Sequence, residues 1–291
     1  MKLALGTVQF GLDYGVANSS GCVAEEEARA IMLRAQESGM DTLDTAIDYG
    51  ISESVLGQLG IERWKAITKL PLVPDGCDDV GKWVRCQLQQ SMARLRVTQL
   101  YGVLLHRPGQ LLERSTGPAL YAALQEFKSQ GRVQKIGVSI YAPTELDALL
   151  DAYGFDLVQA PLNILDRRLV DMGWARRLNE MGVEVHARSA FLQGLLLMAP
   201  GQRPAKFDRW SGIWNTWDSW LDYAGQTPLQ ACLRYFNDLP EIDRVVVGVD
   251  TVAQLNEILG ATNGSLSSLP EFCPLQDERL INPATWNNLG V

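Results

Sequence analysis

A chain of 291 residues and 32.2 kDa, 46% hydrophobic and 21% charged, has the composition of a globular protein with a substantial core. Its formal charge of −8 and pI near 4.9 argue against nucleic acid and anionic membranes as partners. Five scattered cysteines without a CxxC, and only two histidines (His106 and His186), argue against a disulfide framework or zinc site, and read as a reducing cytoplasm.

Taken in order, the opening residues form too short an apolar stretch for a signal peptide and enter a strand at once. No run approaches the ~20 apolar residues that a membrane span needs. Strand-like runs fall at residues 3–7, 42–44, 65–70, 101–106, 135–140, 157–160, 183–187 and 244–249. Helical patterns separate them, at 25–38, 79–95, 117–130, 144–151, 171–181 and 227–237. Pro143-Thr144 opens one of these helices, while Gly39, Gly131 and Gly182 follow the ends of others. Eight βα units predict an α/β protein built as a (β/α)8 TIM barrel, one domain over 1–291. A doubly wound sheet would want a glycine-rich phosphate loop after its first strand, and Thr7-Val8-Gln9-Phe10-Gly11 is not one.

Two regions break the rhythm. Residues 198–220 form a long connection carrying Trp210, Trp214, Trp217 and Trp220, the first three on one helical face. Such a stripe packs on the outside of the barrel or closes over its mouth as a lid. From about residue 263 the chain lacks a strong period, and this tail is expected to wrap the barrel or close one side of the pocket.

Three strand-like runs end in a polar residue: Asp44, Lys69 and His106, with Tyr49 five residues beyond Asp44. The C-terminal ends of parallel strands form the mouth at which α/β proteins bind ligands. A free phenol titrates near ~10, and a neighbouring ammonium favours its ionised form. Lys69 can supply that charge, Asp44 can hold Lys69, and His106 can hydrogen-bond a substrate carbonyl. The set describes a general acid acting on a carbonyl oxygen while hydride reaches the carbon. No side chain supplies hydride, so a cofactor is required. Ser139, Gln159 and Asn163 at later strand ends suit the carboxamide of a nicotinamide.

Asp44-Thr45-Ala46-x-x-Tyr49-Gly50-x-x-Glu53-x-x-Leu56-Gly57, followed by Lys69, His106 and Gly137-Val138-Ser139, resembles the aldo-keto reductase superfamily. The resemblance implies a (β/α)8 barrel and NADPH across its C-terminal mouth, with a small-molecule carbonyl substrate reversibly converted to an alcohol. By position it makes Tyr49 the acid/base, tuned by Asp44 and Lys69, with His106 orienting substrate. It places Ser139, Gln159, Asn163, Arg188, Ser189, Gly248, Gln254 and Glu257 at the cofactor.

The sequence departs from that pattern in places. The usual Ser-Asn pair is Ser139-Ile140, and Arg188 stands where an aromatic residue often stacks on nicotinamide. After the last strand, Gly248-Val249-Asp250-Thr251 offers no basic residue for a 2′-phosphate, and Asp250 would oppose one, which leaves NADH open. The N-terminal hairpin that often plugs the barrel bottom is missing. Two alternatives remain: a cofactor-binding regulatory barrel with little turnover, or a lyase using Lys69 as a Schiff-base amine. Outside this set, His186 reads as a core residue and Glu25-Glu26-Glu27 as an acidic first helical turn. Arg167-Arg168 reads as an ion-paired or solvated pair, with Asp13 and Tyr14 near the pocket. Substrate identity and oligomeric state lie beyond the sequence.

Overall fold

Short apolar runs buried on both faces favour parallel pairing, and here they close on themselves. The computed structural model describes residues 1–16, 18, 21–270 and 277–288. Its strands are β1 (Leu3–Gly6), β2 (Thr42–Asp44), β3 (Lys65–Leu70), β4 (Leu100–Leu105), β5 (Val133–Ser139), β6 (Leu157–Pro161), β7 (Glu184–Arg188) and β8 (Arg244–Gly248). All neighbours are parallel in the order β1 to β8, and Leu3 pairing with Val245 closes the barrel.

The helices in chain order are α1 (Glu25–Glu37), α2 (Ser52–Leu59), α3 (Val80–Leu95), α4 (Gly117–Ser129), α5 (Glu145–Ala152) and α6 (Arg168–Asp171). They continue with α7 (Trp174–Glu180), α8 (Ser211–Ala224), α9 (Pro228–Arg234), α10 (Val252–Ala261) and α11 (Glu278–Ile281). Local chemistry sets their ends. Asp79 caps α3 through the Lys82 N–H, and Thr227 with Gln230 forms a capping box ahead of Pro228. Gly39 and Gly131, at φ 85° and 70°, take the left-handed turn that ends α1 and α4.

The eight predicted strands are all present; β2 and β3 match their expected bounds, and the other six differ by one or two residues at their ends. The sequence reading passed over α2, which lies inside the Tyr49 motif, and α10, which follows the last strand.

The larger apolar layer lies between strands and helices, and a small cluster of Ile67, Leu104 and Leu157 with Tyr101 packs separately. On β7, Glu184 accepts from Tyr101 Oη at 2.7 Å and from Lys135, and lies 2.7 Å from His186 Nε2. His186 is fully buried, as its place inside a strand suggested.

The tryptophan segment forms α8 and packs outward. Trp210, Trp214, Trp217 and Trp220 are buried, Trp217 and Trp220 stack at 5.5 Å, and none lines the mouth cavity. The lid reading of this stripe is therefore not what the structure shows. The tail does reach the mouth: Asn282, Pro283 and Ala284 line one side of the cavity. Arg168 is ion-paired, with Asp166 in a two-pronged contact and with Glu278 on α11.

Candidate active site

At the C-terminal mouth lies a cavity of about 560 Å³, within the size range of small-molecule sites. Asp44, Lys69 and His106 reach it from the ends of β2, β3 and β4, and Tyr49 from the turn before α2. That turn is held tightly. A Cβ on Gly11 would stand 2.0 Å from the Tyr49 carbonyl oxygen, and one on Gly50 (φ 54°) 2.2 Å from the Gly11 carbonyl oxygen. Only glycine allows this approach. Beneath it, the buried Ser52 hydroxyl donates to the Thr7 carbonyl at 2.8 Å and lies 3.0 Å from Thr45 Oγ1.

Lys69 is only 1% exposed. Its Nζ donates to Asp44 Oδ1 at 2.6 Å, the Thr45 carbonyl at 3.0 Å and Tyr49 Oη at 3.4 Å. Three donors therefore meet three acceptors. Burial pulls its pKa down, but the Asp44 charge and the contacts with Asp44 and Tyr49 outweigh it, and the net shift is upward. Lys69 is a fixed cation.

Asp44 is occupied on both oxygens, because Gln159 Nε2 donates to Oδ2 at 2.6 Å. Ser139 in turn donates to Gln159 Oε1 at 3.2 Å, across the β5–β6 register pair. The Gln159–Asp44 link carries no signal in sequence, since 115 positions separate the two residues.

His106 stands edge-on to Tyr49, ring centroids 6.0 Å apart at 79°. Its Nδ1 lies 3.9 Å from the Asp48 carboxylate. Burial first, then the charges of Lys69, Arg107 and Arg188, pull its pKa down to about 4. At neutral pH it is an uncharged imidazole, able to donate one hydrogen bond to a carbonyl oxygen.

Of the expected cofactor residues, Ser139, Gln159, Arg188, Ser189, Gly248 and Gln254 line the cavity, as does Glu257. Asn163 does not. It is fully buried, accepts from the Leu165 and Asp166 amides at 2.9 Å, and donates to the Ser189 carbonyl at 3.1 Å. Its role is to shape the loop that carries Ser189. Gly248 is needed for space, as a Cβ there would sit 2.5 Å from Gln9 Nε2.

Other residues at the mouth had weak sequence signals or none. Tyr14 lines the cavity and accepts from Gln193 Nε2 at 3.1 Å, bridging the loops after β1 and β7. Gln9, Tyr141 and Phe191 also line it. Ser189, Leu192 and Gln193 hold positive φ between 48° and 62°, a strained run in the loop that walls the cavity.

A family model described as "Aldo/keto reductase family" matches residues 2–269. The chain belongs to this family. A curated aldo-keto reductase from Mycobacterium sp. (strain KMS) is 29% identical over 181 residues, 60% of this chain and 63% of that one. The match thus spans less than two thirds of that relative's length. Another, from Mycolicibacterium vanbaalenii, is 27% identical over 186 residues, 62% of this chain and 64% of its own. Among solved structures, aldo-keto reductase AKR11C1 from Bacillus halodurans in its holo form gives a TM-score of 0.72 at 20% identity, covering 92% of this chain and 88% of that one. The glycerol dehydrogenase AKR11B4 from Gluconobacter oxydans gives 0.71 at 19%, covering 91% and 87%. At those identities the structural likeness speaks for the fold alone.

The aldo/keto reductase fold here has local features that suit a nicotinamide nucleotide. Ser139 and Gln159 present hydroxyl and amide groups beside the reactive cluster. Two buried acceptors on cavity-lining residues, Gln9 Oε1 and Asp250 Oδ1, have no hydrogen-bond partner. Each is short of a donor, which a ligand rich in hydroxyl and amide groups would supply. Ile140 and Arg188, two of the departures from the family pattern, touch: Arg188 Nη2 donates to the Ile140 carbonyl at 2.9 Å.

Proposed function

We propose that this aldo/keto reductase uses NADPH or NADH to reduce an aldehyde or ketone to an alcohol, reversibly, with Tyr49 as general acid/base. The observation that carries the reading is the hydrogen bond from Lys69 to Tyr49 Oη, on a lysine enclosed by Asp44 and the Thr45 carbonyl. The bound nicotinamide supplies the hydride. Ser139 and Gln159 are the side chains that would hold its carboxamide, and Arg188 and Ser189 wall the same end.

The protein's own part is proton management. His106, uncharged at neutral pH, donates to the substrate carbonyl oxygen and orients it toward Tyr49. The Tyr49 hydroxyl gives its proton to that oxygen as negative charge develops there. The Lys69 ammonium stabilises the phenolate left behind, and Asp44 keeps that ammonium in place. Gln159 stops Asp44 from turning, so the group needs little reorganisation.

A Schiff-base role for Lys69 would need a neutral amine, and the contact with Asp44 favours the ammonium. The regulatory reading rests on Ile140 and Arg188, and it predicts nucleotide binding without turnover. The free thiols Cys22, Cys77, Cys86 and Cys232 suit a reducing cytoplasm. A sugar carbonyl is one class to include among candidate substrates.

The test is nucleotide oxidation with a panel of aldehydes, ketones and sugars, comparing wild type with Tyr49→Phe. A fall of about 10²–10⁴-fold in kcat/KM with unchanged nucleotide affinity is expected for loss of a general acid. Full activity in Tyr49→Phe would remove Tyr49 from the chemistry. Binding without turnover on every substrate would favour the regulatory reading.

A further inference from the structure

The part of the cavity where β8 leads into α10 carries acid rather than base. Asp250, Gln254 and Glu257 line it. A 2′-phosphate brings about two negative charges, and proteins hold it with Arg or Lys or with unoccupied helix N-terminal amides.

The cations on the cavity wall are committed elsewhere. Lys69 is enclosed by Asp44, and Arg188 donates to the Ile140 carbonyl at 2.9 Å and to Ser189 Oγ at 3.2 Å. Several backbone amides around the start of α10 are also taken. Asp250 N–H donates to Gln254 Oε1 at 2.7 Å, and Gln254 N–H to Thr251 Oγ1 at 3.2 Å. The Val252 N–H donates at 2.7 Å to Glu27 Oε1, a carboxylate from α1. One of the amides an anion would use is thus taken by the protein's own acid.

Asp250 has the opposite need. Its Oδ1 is buried without a hydrogen-bond partner. Burial raises the Asp250 pKa and the charge of Asp13 adds to that rise; a side-chain hydrogen bond with Gln254 offsets part of it, and the net shift is upward. A carboxylate that accepts from ribose hydroxyls is the usual device by which nucleotide sites select the form without a 2′-phosphate.

We infer that the cavity selects NADH over NADPH, with Asp250 accepting a hydrogen bond from the adenosine ribose and Asp250 and Glu257 together excluding a 2′-phosphate. The inference rests on the reading of this cavity as a nicotinamide nucleotide site. Gln254 orients Asp250 from below through the Asp250 amide. Glu27 takes the Val252 amide, one of the donors a phosphate at the α10 terminus would use.

Equilibrium titration of the full chain with NADH and with NADPH, followed by tryptophan fluorescence, reads this without turnover. NADH is expected to bind at least ten times more tightly. Competition isolates the adenosine end: ADP should displace NADH at a concentration at least tenfold lower than 2′,5′-ADP. Asp250→Asn should narrow the NADH/NADPH ratio at least threefold, by weakening NADH and strengthening NADPH. Equal or tighter binding of NADPH by the wild type overturns the inference and leaves the site reading intact. Binding of neither nucleotide overturns the site reading, and this inference with it. An unchanged ratio in a folded Asp250→Asn removes Asp250 as the selecting residue; should that variant not fold, the competition by ADP and 2′,5′-ADP on wild type decides.

Discussion

Arg188 Nη2 donates to the Ile140 carbonyl at 2.9 Å, so two sequence departures, one ending β7 and one just past β5, form a single contact. That contact turns the guanidinium toward β5, over the Tyr141 ring at 4.9 Å, where Arg107 approaches the same ring at 4.7 Å. The two cations lie close enough to bear on His106.

Replacing Arg188 by Met should therefore raise the His106 titration midpoint from about 4 toward the ordinary histidine range. With His106 and His186 the only histidines, imidazole resonances in an NMR pH titration can be assigned by one His106→Asn control. A midpoint that stays near 4 would mean that burial and Lys69 alone hold His106 neutral.

The same group makes stability depend on pH with a definite sign. His106 has a folded pKa below its unfolded value near 6.5, so the unfolded chain binds the extra proton between those values. Its effect is absent above about pH 6.5, and stability falls as pH drops from there toward about 4. Denaturant unfolding at stepped pH should show this slope reduced in His106→Asn, and an equal slope in both proteins would contradict it.

Lys69 and Asp44 form a buried ion pair at 2.6 Å, and removing one partner strands the other. Lys69→Met should cost about 3–5 kcal/mol of unfolding free energy and abolish turnover. Adding Asp44→Asn should recover much of the stability but none of the activity. Urea unfolding of the single and double variants separates the two effects, and failure of the double variant to recover would place the cost in packing instead.

Glu53 shares the Tyr49 motif yet sits 2% exposed beneath it. It accepts from Thr68 Oγ1 at 2.7 Å, Ser91 Oγ at 2.6 Å and Arg94 Nε at 2.8 Å. Glu53→Ala should destabilise toward the low end of about 3–5 kcal/mol, because Arg94 is partly exposed and keeps water contact. Nucleotide affinity of the folded fraction should be unchanged, which separates this residue from the reacting group. A selective loss of affinity without loss of stability would show the opposite.

Much of this was legible along the chain. Short apolar runs, helix stop glycines and the residues at strand ends set the barrel and brought Asp44, Tyr49, Lys69 and His106 into one group. Those signals are local, or repeat once per βα unit. Asn163 carries no such local signal: an amide just past a strand end resembles a ligand contact, and the structure uses it to tie the Ser189 loop. The tryptophan stripe was equally ambiguous, because helical spacing fixes a buried face without saying what covers it.

The sequence by itself determined the closed eight-fold alternation and the chemical types at its mouth, since strand and helix periods are encoded residue by residue. Only the tertiary structure decided how those types are paired. Gln159 on Asp44, Arg188 on Ile140 and Glu27 on the Val252 amide join residues 115, 48 and 225 positions apart. Such contacts depend on which side chains barrel closure brings within about 3 Å, and hydrogen bonds are lost beyond that reach. The same closure left one oxygen of the half-buried Asp250 carboxylate, Oδ1, without a hydrogen-bond partner, and that unmet acceptor is what the proposed ribose contact would satisfy.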